Sequence, residues 1–369
     1  MDEARQLTAG AIFVKNGLEV FPGSFSKRTV IFDKEPTYSP MKTFFLFVFA
    51  ALQFGRAAST EAQELKKIKI GYPAISYNQV HIWVAKYANL FRKHGLDAEV
   101  IFFRGGQMAT QALVAGDPPI VNIGTVVQAG LQGHDVVLIA SSESAYNYSV
   151  VARPGITKIE QLKGKKLGVS GFGSASHNAA LILCRKFNLE PNKDVALVVA
   201  GPTMERLAAV DSGRIDATIL TPSELPRARK QGLVEVYDML ELGIEVQGNG
   251  FATTRTLIRT QRDTALSALK AYVESIFYIS KNRDETKRIA AKYMRTSDQE
   301  VLDATYDWFV KRVAKKPYPT VKGLQFLLDE LAPRMPQAKT AKPEQFVDLT
   351  LLQQLEKEGF FGEMAKRYP

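Results

Sequence analysis

Residues 68–95 read IKIGYPAISYNQVHIWVAKYANLFRKHG, and the change of pattern inside this stretch decides the fold class. Ile68 to Tyr72 is a short β-rich run and Pro73 to Ser76 a loop; Val80, Trp83, Val84, Tyr87, Leu90 and Phe91 then recur at the three-four spacing of a helix face, which Gly95 ends. The same strand, loop and helix alternation continues along the chain. Ala98 to Phe103 reads as a strand before the Gly105-Gly106 turn and a helix through Leu113; Ile120 to Ile123 reads as a strand before Gly124-Thr125 opens another helix. Strands Val136 to Ser141 and Tyr148 to Arg153 close a first block. A second block opens with strand Lys166 to Ser170, loop Gly171 to Ser176 and helix Asn178 to Phe187, and includes the strand Ala217 to Leu220. Regular alternation of this kind predicts an α/β protein with mostly parallel strands. After Phe251 to Thr254 the pattern turns almost wholly helical, with Leu266, Leu269, Tyr272, Val273, Ile276 and Phe277 marking the strongest amphipathic helix, Arg262 to Ser280.

Bulk properties exclude several classes. The 369 residues are 46% hydrophobic and 23% charged, ordinary globular composition with length for two compact domains. A net charge of +10 raises nucleic acid, anionic lipid and anionic ligands as partners. Basic residues are spread in pairs such as Lys66-Lys67 and Lys165-Lys166 without a long block, so no nucleic-acid partner is expected. The single cysteine, Cys184, lies in an apolar helical run and reads as a buried structural thiol. The histidines at 81, 94, 134 and 177 fall in no metal-ligand spacing, and no nucleophile, base and orienter can be assembled, so neither a metal, a cofactor nor catalytic residues are expected.

Residues 41–59 have the grammar of an export signal. Met41-Lys42 is followed by an apolar run from Thr43 to Phe54 and by Gly55-Arg56-Ala57-Ala58-Ser59, a small-residue cleavage zone. The competing reading is a buried N-terminal helix; the run is too short to span a bilayer. Met41 opens the signal so well that residues 1–40 are read as an upstream extension, and a mature chain released into a periplasm is expected.

Several motifs together resemble the solute-binding proteins of the nitrate, sulfonate and taurine importer family, related in fold to the pyrimidine synthase of yeast thiamine biosynthesis. They are Ile68 to Tyr72, Gly105-Gly106-Gln107, Ile123-Gly124-Thr125, Ser212 to Ala217 and, most specific, the run Ile159 to Val169 with its Leu-Lys-Gly-Lys-Lys-Leu-Gly-Val element. The resemblance implies a two-lobed, type II periplasmic-binding-protein fold with two hinge crossovers and a helical C-terminal region. It implies lobe 1 from residues 66–153 with 249–335, lobe 2 from 154–248, and crossings near Val151 to Gly155 and Gly248 to Thr253; the helical pattern itself puts a C-terminal tail over 336–369, expected to cover a sheet lobe. It also implies capture of a small anionic solute by lobe closure and delivery to an ABC-importer permease. A small-molecule enzyme of the synthase type, or a ligand-sensing module, is the alternative; a chain with one cysteine cannot supply the cysteine-rich cluster of the synthases.

In open α/β sheets ligands sit beyond the carboxyl ends of strands, where helix N-termini offer unsatisfied N–H donors. That rule selects Ser76 and Tyr77 after the first strand, Gly106 and Gln107, Gly124 and Thr125, Ser142, Ser174 and Ser176, and Thr221 as candidate ligand-binding residues. The same hydroxyls would serve equally as helix N-caps. The loop 171–176 half-matches a dinucleotide fingerprint but lacks the ribose-binding acid about 20 residues on.

Overall fold

The structure, a computed structural model, describes residues 64–369; the export signal and upstream extension read from the sequence lie outside the described residues. Two five-stranded sheets organise the chain. The first contains β1 (Lys66–Tyr72), β2 (Leu96–Phe102), β3 (Ile120–Ile123), β4 (Val137–Ser141) and, from far along the chain, β10 (Gly250–Thr253). The second contains β5 (Ser149–Ala152), β6 (Lys165–Val169), β7 (Val195–Val199), β8 (Ala217–Leu220) and β9 (Val234–Asp238). Strand orders are β2-β1-β3-β10-β4 and β7-β6-β8-β5-β9. In each sheet the first three strands are parallel, and the fourth runs antiparallel to both its neighbours. Helices return the chain between parallel strands, so the carboxyl ends of β1, β3, β6 and β8 all open into loops.

The chain passes between the sheets twice, over residues 142–148 and 239–249, and the two passages lie side by side. Ala145 bridges Glu245 antiparallel, Val246 N–H donates to the Ser144 carbonyl at 3.0 Å, and Gly248 N–H donates to the Glu143 carbonyl at 3.0 Å. These positions correct the crossings read from the sequence. Val151 sits in the middle of β5, paired with Thr218 and Glu235 of the second sheet, and β10 is wholly within the first. All four residues of β5 are buried, so the composition of the strand carries no mark of which sheet claims it.

The C-terminal region packs over the first lobe, as expected of a helical tail covering a sheet. The helix Arg262–Lys281 is buried over most of its circumference, with Tyr272 stacked on Phe251 at 4.6 Å, whereas the later helices Val321–Leu331 and Thr350–Lys357 carry the sharper single apolar stripe. Leu351, Leu352, Leu355, Phe360, Phe361 and Met364 enter the same core, so residues 336–369 are a structural layer of this lobe. The helix Gln299–Arg312 touches both lobes, packing on the turn Tyr77–Gln79 and on the turn Pro222–Glu224. Among the described residues no helix is long and apolar enough to cross a membrane.

Candidate functional site

A small cavity of about 50 Å³ lies between the two sheets at their carboxyl ends. By the measure that one water needs about 10–15 Å³, it has room for roughly four water-sized groups. Ser76, Gly106, Gly124 and Thr125 line it from the first lobe; Ser174, Ser176 and Thr221 line it from the second. Seven of the ten residues selected from the sequence are thus brought together. Three are not. The Tyr77 hydroxyl is buried and donates to Glu143 Oε1 at 2.8 Å; Ser142 donates to the Asn249 carbonyl at 2.9 Å inside the crossing; Gln107 is exposed on the rim.

Local backbone explains why these loops converge. Gly105 holds φ +108°, a conformation that costs other residues dearly, and so turns the chain from β2 into the helix Gly106–Val114. At Gly124 a β-carbon would stand 3.1 Å from the Gly248 carbonyl oxygen, so glycine lets the loop after β3 lie against the second crossing without pushing its backbone back by a few tenths of an ångström. Three helices of at least two turns point their N-termini at the cavity: Gly106–Val114, Ala175–Lys186 and Thr203–Asp211. The first and third have no side-chain cap. Their first N–H groups and the positive ends of their dipoles therefore face the enclosed space.

The serines of the β6 loop are a mutual network. Ser170 Oγ donates to Ser174 Oγ at 2.9 Å and lies 3.0 Å from Ser176 Oγ, Ser170 N–H donates to Ser176 Oγ at 2.9 Å, and Ser174 Oγ caps its helix by accepting from His177 N–H at 3.3 Å. His177 belongs to the helix start: its Nδ1 accepts from Gly173 N–H at 3.0 Å, and burial with the Arg334 charge lowers its pKa to about 4.

Arg206, a residue the sequence reading passed over, is the one charged group lining the cavity among the described residues. Its side chain is buried, and no carboxylate lies within ion-pair distance among the described residues; Nε donates to Thr218 Oγ1 at 3.1 Å, Nη1 to the Gly201 carbonyl at 2.8 Å and Nη2 to the Ile219 carbonyl at 3.0 Å. Burial lowers its pKa to about 10, which leaves it cationic at neutral pH. A guanidinium has five N–H donors, so two remain. A signal did exist in the sequence: Arg206 falls in the first turn of a helix, where a cation opposes the helix dipole. Tyr148, Asn78 and Asn249 also line the cavity, and of these only Asn249 was not singled out from the sequence. Burial, then the Glu143 charge, push the Tyr148 phenol up, keeping it a donor.

Glu143 organises the hinge side of the cavity without lining it. Its Oε1 accepts from Tyr77 and from Asn78 Nδ2 (3.3 Å), and its Oε2 accepts from Asn249 N–H (3.0 Å) and Asn249 Nδ2 (2.6 Å). One buried carboxylate thus fixes two cavity-lining amides, Asn78 from the loop after β1 and Asn249 from the second crossing. A larger open groove of about 970 Å³ lies elsewhere, running past Lys67, Asp97 and Thr256 at the amino ends of β1 and β2; it draws on the first lobe alone.

Residues 76–286 match the NMT1/THI5-like family. YtlA of Bacillus subtilis (strain 168), named as a binding protein, is 23% identical over 286 residues, which is 75% of this chain and 85% of YtlA. Among solved structures, a protein from Bordetella bronchiseptica RB50 superposes with a TM-score of 0.72 at 21% identity, over 80% of this chain and 98% of that one. The periplasmic nitrate-binding protein NrtA of Synechocystis PCC 6803 gives 0.65 at 13% identity, over 83% and 91% of the two chains. The periplasmic aliphatic sulphonate binding protein SsuA of Escherichia coli gives 0.61 at 19% identity, over 78% and 99%. The two sheets with their paired crossings are the periplasmic-binding-protein fold.

Proposed function

Because the chain belongs to the NMT1/THI5-like family, we propose that it is the extracytoplasmic solute-binding component of an ABC importer, capturing a small anion in the interlobe cavity and handing it to a membrane permease. The observation that carries this reading is Arg206, a buried cation without a carboxylate partner among the described residues, in a cavity to which both lobes contribute. An isolated buried charge is costly, and an anionic ligand is the group that would neutralise it. Helix N-termini and hydroxyls around it add donors suited to an oxyanion. The volume suits nitrate or the head of a sulfonate or taurine-like solute. Among the described residues the lining contains no cysteine, histidine, lysine or carboxylate, which favours binding over catalysis. The neighbours' names, and the export signal read over 41–59, support a periplasmic location.

The test is thermal shift and calorimetric titration of the purified protein against nitrate, methanesulfonate, taurine and acetate. At 100 times Kd, a true ligand adds about 2.7 kcal/mol to stability. Arg206→Lys, which keeps the charge but loses the fork geometry, should weaken that ligand by about 1.5–3 kcal/mol. A ligand whose affinity is indifferent to Arg206→Lys would overturn the cavity assignment, and no stabilisation by any anion would overturn the anionic solute.

A further inference from the structure

A second recess lies between the lobes, about 610 Å³ and open to solvent, lined from the first lobe by Tyr72, Ile75, Tyr87, Phe102 and Tyr293 and from the second by Met204 and Arg227. It shares no lining residue with the inner cavity: Ala74 and Thr203 face the cavity, while their neighbours Ile75 and Met204 face the recess. Its volume falls in the range of small-molecule sites, about 300–1,000 Å³.

Its chemistry is specific. Tyr72 packs among Phe102, Trp83 and Tyr293 with ring centroids 5.6, 5.9 and 6.1 Å away, and Tyr293 stacks flat on Trp83 at 4.8 Å and 6°. Mutual packing holds these rings in place, so a bound ring would meet a preorganised wall. Lys292, Arg295 and Arg227 rim the recess, and among the described residues no acidic side chain lines it. Lys292 Nζ sits 4.2 Å above the Tyr87 ring; Arg227 donates to the Met204 thioether at 3.0 Å, and its nearest carboxylate, Glu224, is 3.9 Å off. Neither Lys292 nor Arg295 has a carboxylate within ion-pair distance among the described residues. An aromatic wall beneath Arg227 and two cations, Lys292 and Arg295, that have no carboxylate partner among the described residues is complementary to one class of molecule, a planar aromatic ring bearing a carboxylate or sulfonate.

We propose that this recess is a second ligand site, for an aromatic monoanion, separate from the inner cavity. The ring lies against Tyr72, Phe102 and Tyr293, and the anionic group meets Lys292, Arg295 and Arg227. Because both lobes line the recess, its occupant favours the closed arrangement.

The experiment is a fluorine NMR titration of the protein with para-fluorobenzoate, alongside neutral para-fluorobenzyl alcohol. Expected are saturable binding of the anion, far weaker binding of the alcohol, and a loss of about tenfold or more in Lys292→Ala/Arg295→Ala. Arg206→Met, or Ser174→Ala/Ser176→Ala should the former not fold, keeps para-fluorobenzoate binding while weakening the inner-cavity anion. Binding abolished by the inner-cavity variants and untouched by Lys292→Ala/Arg295→Ala would overturn the second site by placing the probe in the first. Absence of saturable binding to wild type at millimolar concentrations would overturn it too, whatever the inner cavity holds.

Discussion

Ser174 and Ser176 show how one hydroxyl can hold two assignments at once. Both line the cavity, yet Ser174 also caps its helix and Ser176 also accepts a backbone N–H from Ser170. Ser174→Ala/Ser176→Ala should therefore cost about 0.5–2 kcal/mol of stability from the cap, and weaken an anionic ligand by about 1.5–3 kcal/mol per bond lost. Calorimetry and thermal unfolding of one preparation separate the two; wild-type affinity with lowered stability would leave the loop as helix punctuation. Glu224 presents a different case. Its carboxyl is buried, Oε2 has no hydrogen-bond partner among the described residues, and Arg227 at 3.9 Å is too distant to offset the burial that raises its pKa to about 7. A carboxyl with a raised folded pKa binds its proton more tightly when folded, so this stability is present at low pH and is lost as pH rises from about 4.5 through about 7. Glu224→Gln should raise Tm at pH 8 and leave it nearly unchanged near pH 4, measured by differential scanning calorimetry. Equal Tm shifts at both pH values would rule out the titration.

The final helix, Phe360–Arg367, is tied to the longest one through a single buried carboxylate. Glu274, in the middle of Arg262–Lys281, accepts from His94 Nε2 at 2.7 Å, from Lys93, from the Tyr368 hydroxyl at 2.7 Å and from Arg367 at 3.3 Å. Burial pushes its pKa up, but hydrogen bonds from His94, Lys93 and Tyr368 outweigh it and hold the carboxyl down at about 2. A depressed carboxyl pKa contributes stability above its unfolded value of about 4.5 that is lost as pH falls toward about 2. Glu274→Gln should destabilise by about 1–3 kcal/mol at pH 7, because hydrogen bonds to a charged acceptor are lost while Lys93 and Arg367, each 39% exposed, keep part of their water. The deficit should shrink steadily below pH 4.5 in urea unfolding curves. A deficit constant from pH 7 to pH 3 would mean the loss is packing alone.

Two lobes joined by paired crossings also touch directly. Arg104 meets Glu205 at 2.6 Å and Lys230 meets Asp298 at 2.6 Å across the gap, and Arg185 pairs with Glu330. Exposed pairs of this kind hold the lobes together only weakly. Ligand contacts shared by both lobes should supply the rest, so small-angle scattering should show a smaller radius of gyration with the inner-cavity anion than without it. An unchanged radius at saturation would argue for a rigid pocket. The α/β class and the positions of most strands were legible along the chain, because strand and helix periods are local properties of side-chain order; the converging loops were legible because glycine and hydroxyl residues mark strand-to-helix turns. Long-range pairing decided the rest. Whether a short run such as Ser149–Ala152 joins one sheet or the other, and which lobe residues 336–369 cover, depends on partners far away in the chain, and the composition of the segment is the same in either outcome. Arg206 is the sharpest instance: in sequence it is one arginine among many, and only burial without a carboxylate, a property of what folds around it, makes its charge decisive.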